Sequence, residues 1–201
     1  FTPEAQAFGL PAPRGVLLLG VQGCGKSLCA KAISSQWQLP LLRFDVGRMF
    51  GSLVGSSEEN IRRAIAVAES VAPAILWVDE IDKASNDAQY DPLGALYSLL
   101  EHDTAQRFVD EFAEVMIDAS KVIWVLTAND DHRIPEPILN RMNVFEVEAP
   151  DPQAARKIAT RLYQTIRKAH DWGQRFEPEP TSDVLDALSE LPPREMRRAW
   201  M

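Results

Sequence analysis

The organisation of this chain turns on Val16-Leu17-Leu18-Leu19-Gly20-Val21-Gln22-Gly23-Cys24-Gly25-Lys26-Ser27. Four apolar residues, unbroken by polar ones and ended by a glycine, have the pattern of a strand buried on both faces. The next eight residues, Gly20 to Ser27, satisfy G-x-x-x-x-G-K-[ST]. Lys26 to Gln36 then carry Ala and Ile at helix spacing. A glycine-rich turn between a buried strand and a helix suits a phosphate. Its backbone curls so that successive N–H groups point inward, and the helix N-terminus adds partial positive charge. In such a turn Lys26 reaches the β- and γ-phosphates of a nucleotide, and the Ser27 hydroxyl ligates Mg²⁺.

Three similar runs follow: Leu41-Leu42-Arg43-Phe44, Ala74-Ile75-Leu76-Trp77-Val78 and Val122-Ile123-Trp124-Val125-Leu126. A weaker fifth is Val144-Phe145-Glu146-Val147. Between them Ser56 to Ser70 open with cap and first-turn acid residues, with Ile61, Ala64, Ile65 and Ala68 on one face. Asp91 to Glu101 repeat the pattern, Asp91 as N-cap and Pro92 at the first helical position. Strands alternating with helices specify an α/β fold with a parallel sheet covered by helices.

After Asp151 the strand signal stops. Pro152 to Lys168 and Ser182 to Ser189 read as helices, and Arg194 to Met201 as the start of a third. The expected division is an α/β nucleotide-binding subdomain over residues 1–150 and a small helical subdomain over 151–201, the latter partly present because the pattern runs to the end of the chain.

Composition limits the possibilities. The 201 residues are 46% hydrophobic and 25% charged, ordinary for a globular protein with a sizeable core. With 21 Lys plus Arg against 29 Asp plus Glu, the net charge is −8, which argues against a protein that coats duplex nucleic acid. No stretch approaches the roughly 20 apolar residues of a membrane span, and the start does not resemble a signal peptide, so a cytoplasmic address without membrane attachment is expected. Cys24 and Cys29 read as reduced thiols. His102, His132 and His170 lack ligand spacing, which disfavours a metal other than Mg²⁺.

The second chemical motif is Ile75-Leu76-Trp77-Val78-Asp79-Glu80-Ile81-Asp82. An apolar strand delivers two adjacent acids at its carboxyl end, where ligands of such sheets bind. Asp79 fits a carboxylate that holds Mg²⁺ directly or through water. Glu80 fits the group that polarises an attacking water. A solvated acidic loop is the plain alternative for this pair taken alone. Trp77 and Trp124 read as packing residues, and Glu101-His102-Asp103 as a solvated helix end.

Together, Pro13-Arg14-Gly15, the phosphate loop, Asp79-Glu80-Ile81-Asp82 and Thr127-Ala128-Asn129-Asp130 resemble an AAA+ ATPase of the P-loop type. Asp79 to Lys83, Asp91-Pro92, Ala95-Leu96, Phe108, Asp110, Phe112, Glu114-Val115, Asp118, Ser120, Val122, Thr127 to Asn129, Ile134 to Pro137 and Asn140-Arg141-Met142 are similar to the ATPase module of Lon protease. The stretch from Gly51 to Val78 resembles protein-remodelling AAA ATPases instead. The resemblance implies that Gly20, Gln22, Gly23, Cys24, Gly25, Lys26, Ser27 and Leu28 contact ATP, with Ser27 and Asp79 at the metal. It implies that Asn129 is the sensor-1 residue and that Arg141 is an arginine finger acting on a neighbouring subunit. A helix-terminal arginine bound to a local acid is the competing view of Arg141. Arg194 is similar to a sensor-2 arginine opening a lid helix, with Arg197 as a rival one turn away. Leu53-Val54-Gly55 occupy the place of a substrate-gripping pore loop, with leucine where an aromatic is usual.

The implied activity is Mg²⁺-dependent ATP hydrolysis in a self-assembled hexameric ring that remodels a macromolecular client, a protein before a nucleic acid. No protease is expected, because 201 residues leave no room for the Ser–Lys domain that follows the Lon lid. Two alternatives stay open in addition to a nucleic-acid remodeller: a nucleotide-dependent scaffold or loader with little turnover, and a small-molecule kinase.

Overall fold

A computed structural model describes residues 7–9, 15–46, 56–84, 93–110 and 115–201. The expected N-cap Asp91 with Pro92, and the loop Leu53-Val54-Gly55, lie outside the described residues.

Strand β1 (Gly15–Leu19) leads through the glycine loop into helix α1 (Lys26–Trp37), followed by β2 (Leu41–Asp45), α2 (Ser56–Ser70) and β3 (Ala74–Asp79). Two short helices, α3 (Gly94–Leu99) and α4 (His102–Ala105), precede β4 (Phe108–Asp110) and β5 (Val115–Ile117). Then come β6 (Val122–Ala128), α5 (Glu136–Leu139), β7 (Asn143–Glu146), and helices α6 (Pro152–Ala169), α7 (Ser182–Ser189) and α8 (Pro193–Ala199).

Five strands form one sheet in the order β2-β3-β6-β1-β7. All four pairings are parallel: Asp45 stands opposite Asp79, Val78 opposite Leu126, Leu19 opposite Ala128 and Leu19 opposite Glu146. Their carboxyl ends therefore share one edge, the edge at which open α/β sheets bind ligands. β3 is buried along its whole length, as its unbroken apolar run requires, and β6 nearly so. Leu17, Ile75, Val78, Trp124 and Leu126 anchor the core, and edge strand β7 is exposed throughout.

Two differences from the sequence reading have local causes. The helix expected over 91–101 begins at Gly94 and stops at Leu99. There the Thr104 hydroxyl donates to the Ser98 carbonyl, an acceptor that a longer helix would have used. The antiparallel pair β4–β5 was not expected. Phe108 pairs with Ile117 on the covered side, while Val109 and Met116 face outward. Three residues per strand are too few for alternation to stand out from the background.

The chain divides into two compact units, one holding residues up to Leu19 and Lys26–Glu146, the other Gly20–Gly25 and Val147–Met201. The second has its own core of Ala155, Ala159, Leu188 and Met196. Asp151 caps α6 by accepting from the Ala154 amide at 2.7 Å, and Pro152 follows at the first helical position. No helix of the described residues is long and apolar enough to cross a membrane.

Candidate nucleotide site at the strand ends

β3 ends in Asp79, which is buried, and adjacent β6 ends in Thr127-Ala128 with Asn129 next. The Thr127 side chain, 1% exposed, lies between the two strands. Its hydroxyl donates to Asp79 Oδ1 at 2.7 Å and accepts from the Glu80 amide at 3.2 Å and from Trp77 Nε1 at 3.3 Å. Asp79 Oδ2 accepts from Arg43, at 2.6 Å from Nη2 and 3.2 Å from Nε. Arg43 stands opposite Trp77 in the β2–β3 register, and its guanidinium carbon is 5.1 Å from the Trp77 ring centroid. Trp77 thus does more than pack: it faces a cation and donates to the hydroxyl that holds Asp79.

Glu80 follows in a left-handed backbone conformation, φ 58° and ψ 50°, which a residue with a β-carbon adopts at a cost. Its carboxylate accepts from Lys83 Nζ at 2.6 Å. That hydrogen bond is the main cause of a Lys83 pKa raised above the ordinary lysine value.

Lys26 is buried, and its ammonium donates to Asn129 Oδ1 at 3.0 Å. Asn129 Nδ2 in turn lies 3.4 Å from Asp82 Oδ2, while Asp82 Oδ1 is buried without a hydrogen-bond partner among the described residues. The first lysine of α1 is thus brought to the end of β6, 103 positions away. Ser27 and Leu28, next along α1, are exposed. The Ser27 hydroxyl and the Asp79 carboxylate are hard oxygen donors of the kind Mg²⁺ takes, and the orphaned Asp82 oxygen is a further unused acceptor beside Asn129. The residues present fit that ion.

In the second unit, Gly23 and Gly25 have φ of 91° and 107°, a region that side chains disfavour, so glycine is required at both places in the loop. Gln22 is exposed and Cys24 partly buried, and neither Cys24 nor Cys29 is in a disulfide. Arg194 and Arg197 are both exposed on α8.

Arg141 does not join the strand-end cluster. Its Nε and Nη2 donate to Glu101 Oε1 at 2.9 and 2.6 Å, and Nη1 donates to the Pro137 carbonyl at 2.7 Å, within α5. Glu101 is accordingly a partner of Arg141, where the sequence reading had a solvated helix end. His132 lies beside Asp130 and Asp131 on the surface, with ligand atoms within 4.8 Å of one another.

Sequence reasoning gave no role to Arg43, Thr127, Lys83 or Asp82. Arg43 carried a signal, as the one charge inside an otherwise apolar strand run. Thr127 carried none beyond its place in a motif.

A family model described as "ATPase family associated with various cellular activities (AAA)" matches residues 16–149. The chain belongs to the AAA family. It is similar to an uncharacterized AAA domain-containing protein ycf46 of Trieres chinensis, at 42% identity over 195 residues, 94% of this chain and 37% of that protein. It is similar to a mitochondrial Lon protease homolog of Yarrowia lipolytica, at 32% identity over 184 residues, 87% of this chain and 16% of that protein. The chain thus spans well under half the length of these curated relatives. Among solved structures, the AAA domain of FIGL-1 in complex with ADP shares the fold, with a TM-score of 0.61 at 19% identity over 94% of this chain and 59% of that one. The parallel five-stranded sheet with a helical C-terminal part is therefore the AAA fold, and the expected resemblances to AAA ATPases and to the Lon ATPase region hold.

Proposed function

We propose that this AAA module hydrolyses ATP with Mg²⁺ and uses the cycle, in a self-assembled ring, to remodel a protein client. The observation that carries this reading is the contact between Lys26 and Asn129, beside Asp79 and Glu80. It joins the phosphate-loop lysine to the strand ends on which the acids stand.

In this reading the loop amides of Gly20–Gly25 and the Lys26 ammonium hold the β- and γ-phosphates. Ser27 and Asp79 would hold Mg²⁺, with Asp79 itself held in place by Thr127 and Arg43. The ion, when bound, neutralises charge on the β- and γ-oxygens. Glu80 takes a hydrogen bond from water, whose oxygen bonds the γ-phosphorus as the bond to the β–γ bridging oxygen breaks. Asn129 holds that water or the γ-phosphate. Arg141 neutralises the transferring group on a neighbouring subunit, and Arg194 couples the nucleotide to a helical lid over 151–201. Similarity to a Lon protease homolog, whose name marks it as acting on proteins, supports a protein client.

One observation favours a second reading, a nucleotide-dependent scaffold with little turnover: Arg141 is tied to its own Glu101. Steady-state turnover in wild type and Glu80→Gln separates the two. The ATPase reading expects a loss of about 10²- to 10⁴-fold in the variant, with ATP still bound. Equal, negligible rates in both proteins would establish the scaffold.

A further inference from the structure

We propose that Thr127 is the positioning residue that sets Asp79 and Glu80 at their working separation; this rests on the ATPase reading. A threonine hydroxyl has one proton and two lone pairs. The Glu80 amide and Trp77 Nε1 are obligate donors, so the hydroxyl accepts from both and its single proton goes to Asp79 Oδ1. All three capacities are used, at a site 1% exposed, so water does not substitute for any of them.

The three bonds do different things. The one to Asp79 holds a carboxylate whose other oxygen is held by Arg43. The one from the Glu80 amide pins the left-handed backbone that aims the Glu80 side chain, a conformation the residue does not prefer by itself. The one from Trp77 fixes the hydroxyl rotamer from a ring that also carries the Arg43 guanidinium. Arg43, Asp79, Thr127 and Trp77 form a closed circuit, and Glu80 is attached to it through Thr127. Both acids therefore take their placement from one oxygen on the neighbouring strand, and a shift of about 1 Å in such a placement costs roughly a hundredfold in rate.

The test measures kcat, KM and equilibrium ATP affinity with Mg²⁺ for the full chain and for Thr127→Val, Thr127→Ser and Thr127→Ala. Valine keeps the shape and removes the hydroxyl; serine keeps the hydroxyl and removes the methyl. The expected result is a kcat about a hundredfold lower in Thr127→Val with ATP affinity unchanged, and near-parental kcat in Thr127→Ser. If the valine variant does not fold, the alanine–serine pair reads the same hydroxyl, with alanine slow and serine fast. Parental kcat in the valine or alanine variant, or a serine variant as slow as valine, would overturn the proposal. A wild-type protein without ATP turnover would instead sink the ATPase reading on which it stands.

Discussion

The carboxyl ends of β3 and β6 and the turn that holds Arg141 both carry residues singled out in the sequence, and the fold treats them differently. At the strand ends Lys26, Asp79, Thr127 and Asn129 come together from three segments far apart in the chain, linked through buried or half-buried polar contacts. At the turn, Arg141 is satisfied close by, by Glu101 and the Pro137 carbonyl, in a pair whose side chains are 25% and 43% exposed. A buried network keeps its geometry because breaking it leaves polar groups without water. A half-exposed ion pair is held by about 0.2–1 kcal/mol and is free to exchange partners. The strand ends are built as a fixed centre, and Arg141 as a group that can be released.

The largest effect tests that division directly. Arg141→Ala is expected to lower ATP turnover by about 10³-fold or more, the range of an arginine finger. Mixing it with equally inactive Glu80→Gln is expected to restore part of the rate, because mixed assemblies contain sites with Glu80 from one chain and Arg141 from the next. Activity that never rises on mixing would mean that Arg141 serves its own subunit.

The two regions also differ in what they add to stability. Asp79→Asn weakens the acceptor for Thr127 and Arg43 at a buried site and is expected to cost about 1–3 kcal/mol in denaturant unfolding. Glu101→Gln is expected to cost less than about 1 kcal/mol. Equal costs would erase the contrast between a fixed centre and a releasable group.

This contrast also explains what was legible in the sequence. The five strands and most helices follow from apolar periodicity, and Gly20–Ser27 and Asp79-Glu80 are contiguous motifs whose residues are placed by the elements they end. Thr127 was not legible as a hub, since its role comes from strand pairing: the β3–β6 register sets the end of β6 beside Asp79, 48 positions away. Pairing of Arg141 with an acid was weighed from the sequence, but that the acid is Glu101 was hidden, because it depends on how α3 and α5 pack and not on spacing along either. The short β4–β5 pair lacked the length to register as strands.

The smallest expected effect concerns Lys83. Its pKa is raised, first by the hydrogen bond to Glu80, so its contribution to stability is fully present below the ordinary lysine value of 10.5 and disappears as pH rises through the raised value. Half exposed, the pair contributes under about 1 kcal/mol. Wild type and Lys83→Met should therefore differ slightly in denaturation midpoint at pH 9, and the difference should shrink as pH rises past the ordinary lysine value of 10.5. A difference that grows with pH would contradict this account of the pair.

The most direct measurement is equilibrium binding of ATP, with Mg²⁺, to wild type and Lys26→Ala, read together with phosphate release. Binding should weaken by at least about tenfold as a charge-assisted contact to phosphate is lost, and release should fall to background. Undiminished affinity and release in Lys26→Ala would show that the nucleotide is not held at the strand ends.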